Sequence, residues 1–589
     1  MTLNVNVRRG LASVILTALV LSSFTLAPLS ASAAGTALPS GTERGELGSE
    51  IAAFVEDNRD TTAGMAVAIF DSKGDIYRNH FGCIDMERGL PADEDSIFEW
   101  GSATKLLVWV SVMQLWEQGK IDLDEDVRTY LPEGFLSNLS FEAPVTMTNL
   151  MCHNAGFQEL LFDIFVRDKS DIKPLGEALK ARMPAQIYEP GTVTAYSNWG
   201  VALAGYIVEC ISGQEFYTYV RENIFGPLGM GHSALAPDLG DNPWVAEQRD
   251  KLQCYTADAK LIPDCKYYIP IYPAGSCVST LEDFSRFAKA LLTENTPLFS
   301  SEETRSLMLA PTAFLGGSEI PSNCHGLWGI AFRDLAFGHG GNTAGCSSYL
   351  LIQPETGVGA VVMTNQQNEE IYNFEMMELV FGAFDEAEFF GSERELPTGM
   401  YRTSRTVRKG VLKLYSLGAL TYEDSDREEF WVWDRENGKV CYPYSECLQL
   451  NAGTFIFELG ITALWVAAAI FSLIYLIVKL IRRLMKKPPA PTGGWRTLSS
   501  LAQLLVLPPL VLAIISAMTY RPAASYLWTF VVIGVLTLIM LALTVLGTVK
   551  LRKTELSKRD RVLNIFILLA LVVSTTNICY WNLFMFWTV

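Results

Sequence analysis

Ser102 and Lys105 stand three residues apart in Phe98-Glu-Trp-Gly-Ser102-Ala-Thr-Lys105-Leu-Leu, at the head of an apolar run that reads as a buried helix, Leu106 to Gln118. On a helix, positions i and i+3 share a face, so the lysine amine can reach the serine hydroxyl. That hydroxyl is a poor nucleophile until a neighbouring base takes its proton. Lysine serves as the base only when burial or a nearby cation lowers its pKa. The helix N-terminus would favour the negative charge that develops. Alone, the pattern fits equally an N-cap serine followed by a surface lysine.

Two further stretches supply partners. Tyr188-Glu-Pro-Gly191-Thr-Val-Thr-Ala-Tyr196-Ser197-Asn198-Trp-Gly200 precedes an apolar helix, Val201 to Cys210. Tyr196, held near Lys105 and partly ionised, could shuttle a proton to a leaving group. The Asn198 amide offers a donor and an acceptor to orient an acyl-amide substrate. In Phe337-Gly-His339-Gly340-Gly341-Asn342-Thr-Ala-Gly345, glycines such as Gly341 let the backbone approach a ligand closely, and His339 would face the site from a strand edge. The backbone N–H groups of Asn342 and Ser102 could form an oxyanion hole.

In the order S-x-x-K, Y-x-N, H-x-G, these motifs resemble the class C β-lactamase and penicillin-binding-protein family of serine hydrolases, which includes D-aminopeptidases and related esterases. Val145-Thr-Met-Thr-Asn-Leu-Met-Cys-His153-Asn-Ala-Gly156, Ile224-Phe-Gly-Pro227-Leu-Gly-Met230, Pro273-Ala-Gly275-Ser276 and Asp283-Phe-Ser-Arg-Phe287 add to the likeness, which covers residues 45–385. The resemblance implies a helical lobe beside an antiparallel sheet flanked by helices. It makes Ser102 the acylated residue, Lys105 and Tyr196 the base and acid, and Asn198, His339, Gly341 and Asn342 substrate-binding. His339 stands where typical β-lactamases carry lysine. A neutral imidazole holds a carboxylate less firmly than an ammonium, which favours a peptidase or esterase over an efficient β-lactamase. A covalent penicillin-binding sensor and an inactive scaffold are the competing functions. Some similar peptidases with a short transmembrane bundle trim an N-terminal segment from a secondary metabolite.

The elements that position these residues are legible in outline. Gly64-Met-Ala-Val-Ala-Ile-Phe70, closed by the turn signal Asp71-Ser-Lys-Gly74, and Gly357 to Thr364 are strand-like. Strands at both ends with helices between predict one α+β domain over 34–385. Residues 386–454 are expected to form a small β-like linker module, with short strands at Gly399–Arg402 and Val411–Tyr415. Arg8 and Arg9, the apolar Leu11–Leu29 and Ala31-Ser32-Ala33 read as an export signal over 1–33. Ten of eleven cysteines follow it within the head, where Cys254/Cys265 and Cys441/Cys447 are the local disulfide candidates.

Hydrophobic residues make up 49% of the 589-residue chain, high for a soluble enzyme. Within 455–589, four apolar stretches, Leu459–Val478, Leu498–Tyr520, Ser525–Val549 and Val562–Val589, approach the length of a membrane span of about 20 residues, and Pro508-Pro509 should kink the second. Basic residues cluster after the first span (Lys479 to Arg496) and after the third (Lys550 to Arg561), which predicts those loops inside and the head outside the cell membrane. A net charge of −18 argues against nucleic-acid partners. A small peptide-like or ester substrate, membrane lipid and a transporter or other membrane partner for the tail are the expected partners. No metal-ligand spacing is evident, so neither metal nor cofactor is expected.

Overall fold

The computed structural model describes residues 36–160, 162–391, 399–411, 413–417, 419–421, 431–487, 493–519, 521–553 and 555–588. The expected export segment, 1–33, lies outside the described residues.

The head strands are β1 (Gly64–Asp71), β2 (Gly74–Asp85), β3 (Leu90–Pro91), β4 (Ile97–Glu99), β5 (Ser233–Ala234), β6 (Val278–Thr280), β7 (Ala313–Phe314), β8 (Pro321–Cys324), β9 (Leu327–Ala331), β10 (Leu335–Asn342), β11 (Ser347–Gln353) and β12 (Val358–Thr364). Among the described residues, nine of them form one antiparallel sheet in the order β3-β2-β1-β12-β11-β10-β9-β8-β7. The alternation of β1 explains why the sheet is covered on both faces. Met65, Val67 and Ile69 pack with Leu47, Ile51 and Val55 of the helix Leu47–Asp57 and with Met376 and Val380. Ala66, Ala68 and Phe70 face the opposite layer, with Phe284 and Phe287 of the helix Leu281–Leu292 and the helical lobe beyond. The fold is an α+β arrangement, an antiparallel sheet flanked by helices.

At the lobe's centre is the helix Lys105–Glu117, in which every residue from Lys105 to Leu115 is buried. A helix apolar all round belongs inside a core. It follows directly on a 3₁₀ turn, Gly101–Thr104, and packs on the helix Asn198–Ser212.

A second sheet, β14-β13-β17-β16-β15, is built from β13 (Met400–Thr403), β14 (Ala419–Thr421), β15 (Val432–Asp434), β16 (Lys439–Cys441) and β17 (Glu446–Gln449). The expected strand at 411–415 is not formed by its described residues. Lys413–Leu417 is a 3₁₀ turn, because Lys413 stacks its ammonium 4.0 Å from the Tyr580 ring and Leu414 packs on the tail core instead of entering a ladder. The module docks on the head through an Ala195–Ser445 bridge, the Ser404 hydroxyl donating to Thr194 O (2.6 Å), and Tyr188 Oη donating to Ser404 O (3.1 Å). Cys254 and Cys265 are disulfide-bonded; Cys441 and Cys447 are not joined.

Among the described residues, four tail helices are long and apolar enough to cross a membrane: Ala452–Leu484, Gly493–Ala517, Ala523–Lys553 and Lys558–Tyr580. The second breaks between Leu504 and Leu507, just ahead of Pro508, whose ring cannot tolerate the carbonyl four residues back. The fourth stops at Tyr580 rather than running to 589. Asn582 takes positive φ, Trp581 and Leu583 turn back into the tail core, and Phe586–Thr588 is a 3₁₀ turn. The bundle has an apolar core that also holds polar pairs: Arg496 donates to Asp560 and Asn564, and Ser574 donates to Gln503. Polar groups placed inside supply interhelical contacts that the apolar lipid-like exterior cannot.

Head and tail meet at one end of the bundle. Arg402 pairs with Glu458, which accepts a hydrogen bond from Tyr580 Oη (2.7 Å). Ala523 N donates to Asp163 (2.8 Å), and Val411 N to Thr588 (2.8 Å). The basic helix ends, Arg482-Arg483 and Lys550 to Lys553, lie at the other.

Candidate active site

The 3₁₀ turn sets Ser102 at the mouth of a cleft of about 810 Å³ between the helical lobe, the end of β10 and the linker module. Lys105 Nζ lies 2.9 Å from Ser102 Oγ, one helical turn on. It also lies 2.8 Å from Asn198 Oδ1 and 2.5 Å from Ala274 O. Burial, then the Arg405 cation, hold this amine well below the usual ammonium range. A neutral amine has two N–H donors and one lone pair. In that neutral form, with Asn198 and Ala274 accepting from its two N–H groups, the amine would have its lone pair left for the Ser102 proton.

Tyr196 approaches from the other side, its hydroxyl donating to Ser102 Oγ at 2.8 Å. Burial raises its pKa above the ordinary phenol value. Tyr196 is therefore a protonated donor in the resting site, not the partial phenolate expected from sequence.

His153 positions this tyrosine. Its backbone has φ 53°, and its Nδ1 accepts from Ser197 N at 3.2 Å. The imidazole packs on the Tyr196 ring, centroids 4.5 Å apart. Ser197 in turn caps the next helix by accepting from Gly200 N. The Asn149 and Thr146 capping box starts the short helix that carries His153 past its end.

His339 departs from expectation. Its ring is fully buried behind Trp328, centroids 3.9 Å apart, and it does not line the cleft. Burial, with Lys105 nearby, pushes its pKa down to about 3. It is neutral at any physiological pH and touches no open space; β10 turns that side chain under β9 because Trp328 of β9 covers it. Gly341 also lies behind the wall. An added Cβ there would sit 1.8 Å from Trp100 O and 2.7 Å from Ser102 N. At Gly101, with φ 52°, it would sit 2.8 Å from Asn342 N. These two glycines let the β10 edge touch the nucleophile turn directly. Gly341→Ala is expected to slow acylation by about 100-fold, since displacing a reacting group by about 1 Å costs that much. Stopped-flow labelling of Ser102 with an activated acyl reagent measures it.

Behind the nucleophile lies a buried ion pair. Arg249 donates to Glu99 Oε1 through Nε (2.8 Å) and lies within 2.7 Å through its second nitrogen. Tyr267 Oη donates to Glu99 Oε2 (2.7 Å) and accepts from Ala344 N (2.9 Å). Burial alone would raise the Glu99 pKa, but Arg249 and Tyr267 hold it below its ordinary value. The network ties β4, which leads into Ser102, to the turn that follows β10.

Of the expected residues, Ser102, Tyr196, Asn198 and Asn342 line the cleft, and Lys105 reaches Ser102 from beneath. Sequence reasoning missed Trp328, Tyr444, Glu369 and Arg405 on the walls, as well as His153. Only His153 lay inside a motif that had been singled out.

A serine flanked by a buried lysine amine and a tyrosine hydroxyl, set between this sheet and this helical lobe, defines a serine-hydrolase scaffold of the β-lactamase/transpeptidase class. The chain belongs to the Beta-lactamase family, whose model matches residues 51–378. It is 27% identical over 335 residues to penicillin-binding protein 4 of Amycolatopsis lactamdurans, covering 51% of this chain and 80% of that one. It is 32% identical over 197 residues to the esterase EstB of Burkholderia gladioli, covering 30% of this chain and 49% of that one. A D-amino acid amidase structure from Ochrobactrum anthropi SV3 superposes with TM-score 0.47 to 0.48 at 22 to 24% identity, over 57% of this chain and 97% of that one.

Proposed function

We propose that this chain is a membrane-anchored serine hydrolase with its head outside the cytoplasm, acting through an acyl-enzyme on peptide-like or ester substrates. The convergence of Lys105 Nζ and Tyr196 Oη on Ser102 Oγ, at 2.9 and 2.8 Å, carries the reading. Lys105 takes the Ser102 proton as Oγ attacks the carbonyl carbon. Tyr196 gives its proton to the leaving nitrogen or oxygen as the C–N or C–O bond breaks, and Lys105 returns a proton to the phenolate. Water then attacks the ester, with the same groups acting in reverse. Asn198 holds both the lysine and the substrate amide.

Strand geometry supports the oxyanion hole. Thr343 N donates to Cys346 O across the hairpin (2.9 Å), so the adjacent Asn342 N–H points away from β11. β9 pairs with β10 only from Leu335 to Gly338, which leaves that edge open toward Ser102. The backbone N–H groups of Asn342 and Ser102, both beside the Gly101–Gly341 contact, are the proposed oxyanion hole. His339 acts by filling the space under Trp328, not by meeting substrate. The orientation is supported by the bundle: the head sits on one end, and the basic helix ends, which stay cytoplasmic, occupy the other.

The test is to treat the full chain in detergent with a fluorescent β-lactam and a fluorophosphonate, with Ser102→Ala alongside. Wild-type β-lactam label that forms and decays supports a hydrolase, β-lactam label that persists supports a covalent sensor, and the fluorophosphonate reports only whether Ser102 is nucleophilic. Equal labelling of wild type and Ser102→Ala, or none, removes Ser102 as nucleophile.

A further inference from the structure

The cleft wall carries a single cationic side chain among the described residues that line it, Arg405, and this residue lies outside the segment matched by the family model. It arrives on the linker module just after β13. Its backbone is fixed on both sides: the Ser404 hydroxyl donates to Thr194 O and accepts from Glu446 N, and Thr406 O accepts from Glu159 N (3.0 Å). Arg405 Nε donates to Glu159 Oε2 at 2.7 Å, and the guanidinium carbon stands 5.0 Å from the Tyr196 ring centroid. The Glu159 side chain is 5% exposed and does not line the cleft, whereas the Arg405 side chain is 37% exposed and does. The pair is therefore a dipole with its positive end in the cleft. The cleft lining also includes Glu370, exposed, and Glu369, whose carboxylate accepts from Tyr372 N and Asn373 N.

His339, neutral and covered, cannot anchor an anion here. Arg405 can, because a planar guanidinium bound only through Nε keeps its two terminal nitrogens for a carboxylate. Tyr196, the proton donor to the leaving group, lies directly under that guanidinium. Resting on the acyl-enzyme reading above, we propose that Arg405 is a specificity-determining residue that binds an anionic group, a carboxylate, on the leaving-group half of the substrate. The preferred substrates are then amides or esters whose departing amine or alcohol is itself an acid.

Two chromogenic anilides of one N-acyl-D-alanine test this on the full chain in detergent: the 5-amino-2-nitrobenzoate, whose leaving group carries a carboxylate, and the 4-nitroanilide, which lacks it. Wild type is expected to favour the first by about 10- to 100-fold in kcat/KM, the range of a charge-assisted hydrogen-bonded pair. Arg405→Met should bring the ratio close to one, chiefly through KM for the anionic substrate. Arg405→Lys, which keeps the charge and the Glu159 pairing and so guards against misfolding, should retain part of the preference. On the neutral anilide, Arg405→Met should also move the acid limb of the rate profile to higher pH, because a cation that, after burial, lowers the Lys105 pKa has gone. A wild-type ratio near one, or equal loss on both substrates in Arg405→Met, would overturn the proposal and leave Arg405 a clasp for Glu159. Turnover of the neutral anilide that survives in Ser102→Ala would instead defeat the acyl-enzyme reading, and this inference with it.

Discussion

Lys105→Met is expected to lower kcat/KM by about 10⁴-fold, the upper end of what a positioned general base contributes. The side chain is fully buried, and methionine fills similar volume, so the loss is chemical and not a packing defect. In wild type, the amine must be neutral to accept the Ser102 proton. Its folded pKa is lowered, so activity rises as pH climbs through that value, and Lys105→Met should lack this limb. Stability has the same sign. The unfolded chain holds the lysine proton over a pH range in which the folded chain has released it. Wild-type stability should therefore rise with pH between the two pKa values, a slope that the methionine variant loses. Rate profiles on an ester substrate, and thermal melts at two pH values, measure the two effects. A variant that keeps the wild-type acid limb would show that another group is the base.

The second large effect is on folding. Arg249→Met is expected to destabilise the head by about 3–5 kcal/mol, because it leaves the Glu99 carboxylate buried without its partner. The loss should spread. Tyr267 bonds both Glu99 and Ala344 N, so the hairpin turn after β10 loosens together with the strand that leads into Ser102. Replacing the pair together, Arg249→Met with Glu99→Gln, should recover much of the melting temperature, since an unpaired charge no longer remains. A single variant as stable as wild type would mean that Glu99 takes up a proton at little cost.

The sequence carried the catalytic centre further than the walls around it. Ser102 and Lys105 were legible because a helix turn fixes their separation, and Tyr196 and Asn198 because they abut a helix start. The β1 and β12 strands were legible from continuous apolar runs that only a doubly covered sheet accommodates. His339 was misjudged because strand alternation does not say which neighbour, here Trp328, will close over a side chain. Arg405 was invisible because its place in the cleft depends on how a separate β module docks, through contacts such as Ser404 with Thr194. The tail's length and kink followed from apolar runs and Pro508. The end of its fourth helix did not, since Trp581 and Leu583 are as apolar as a continuing span.

The route by which Arg405, Pro443 and Tyr444 reach the cleft has a practical cost for anyone dissecting the molecule. A fragment cut at the boundary of the family-like segment would retain Ser102, Lys105 and Tyr196 but not the module that carries Arg405, Pro443 and Tyr444. It would lack one side of the cleft, so a substrate survey run on such an excised piece would not describe the intact chain.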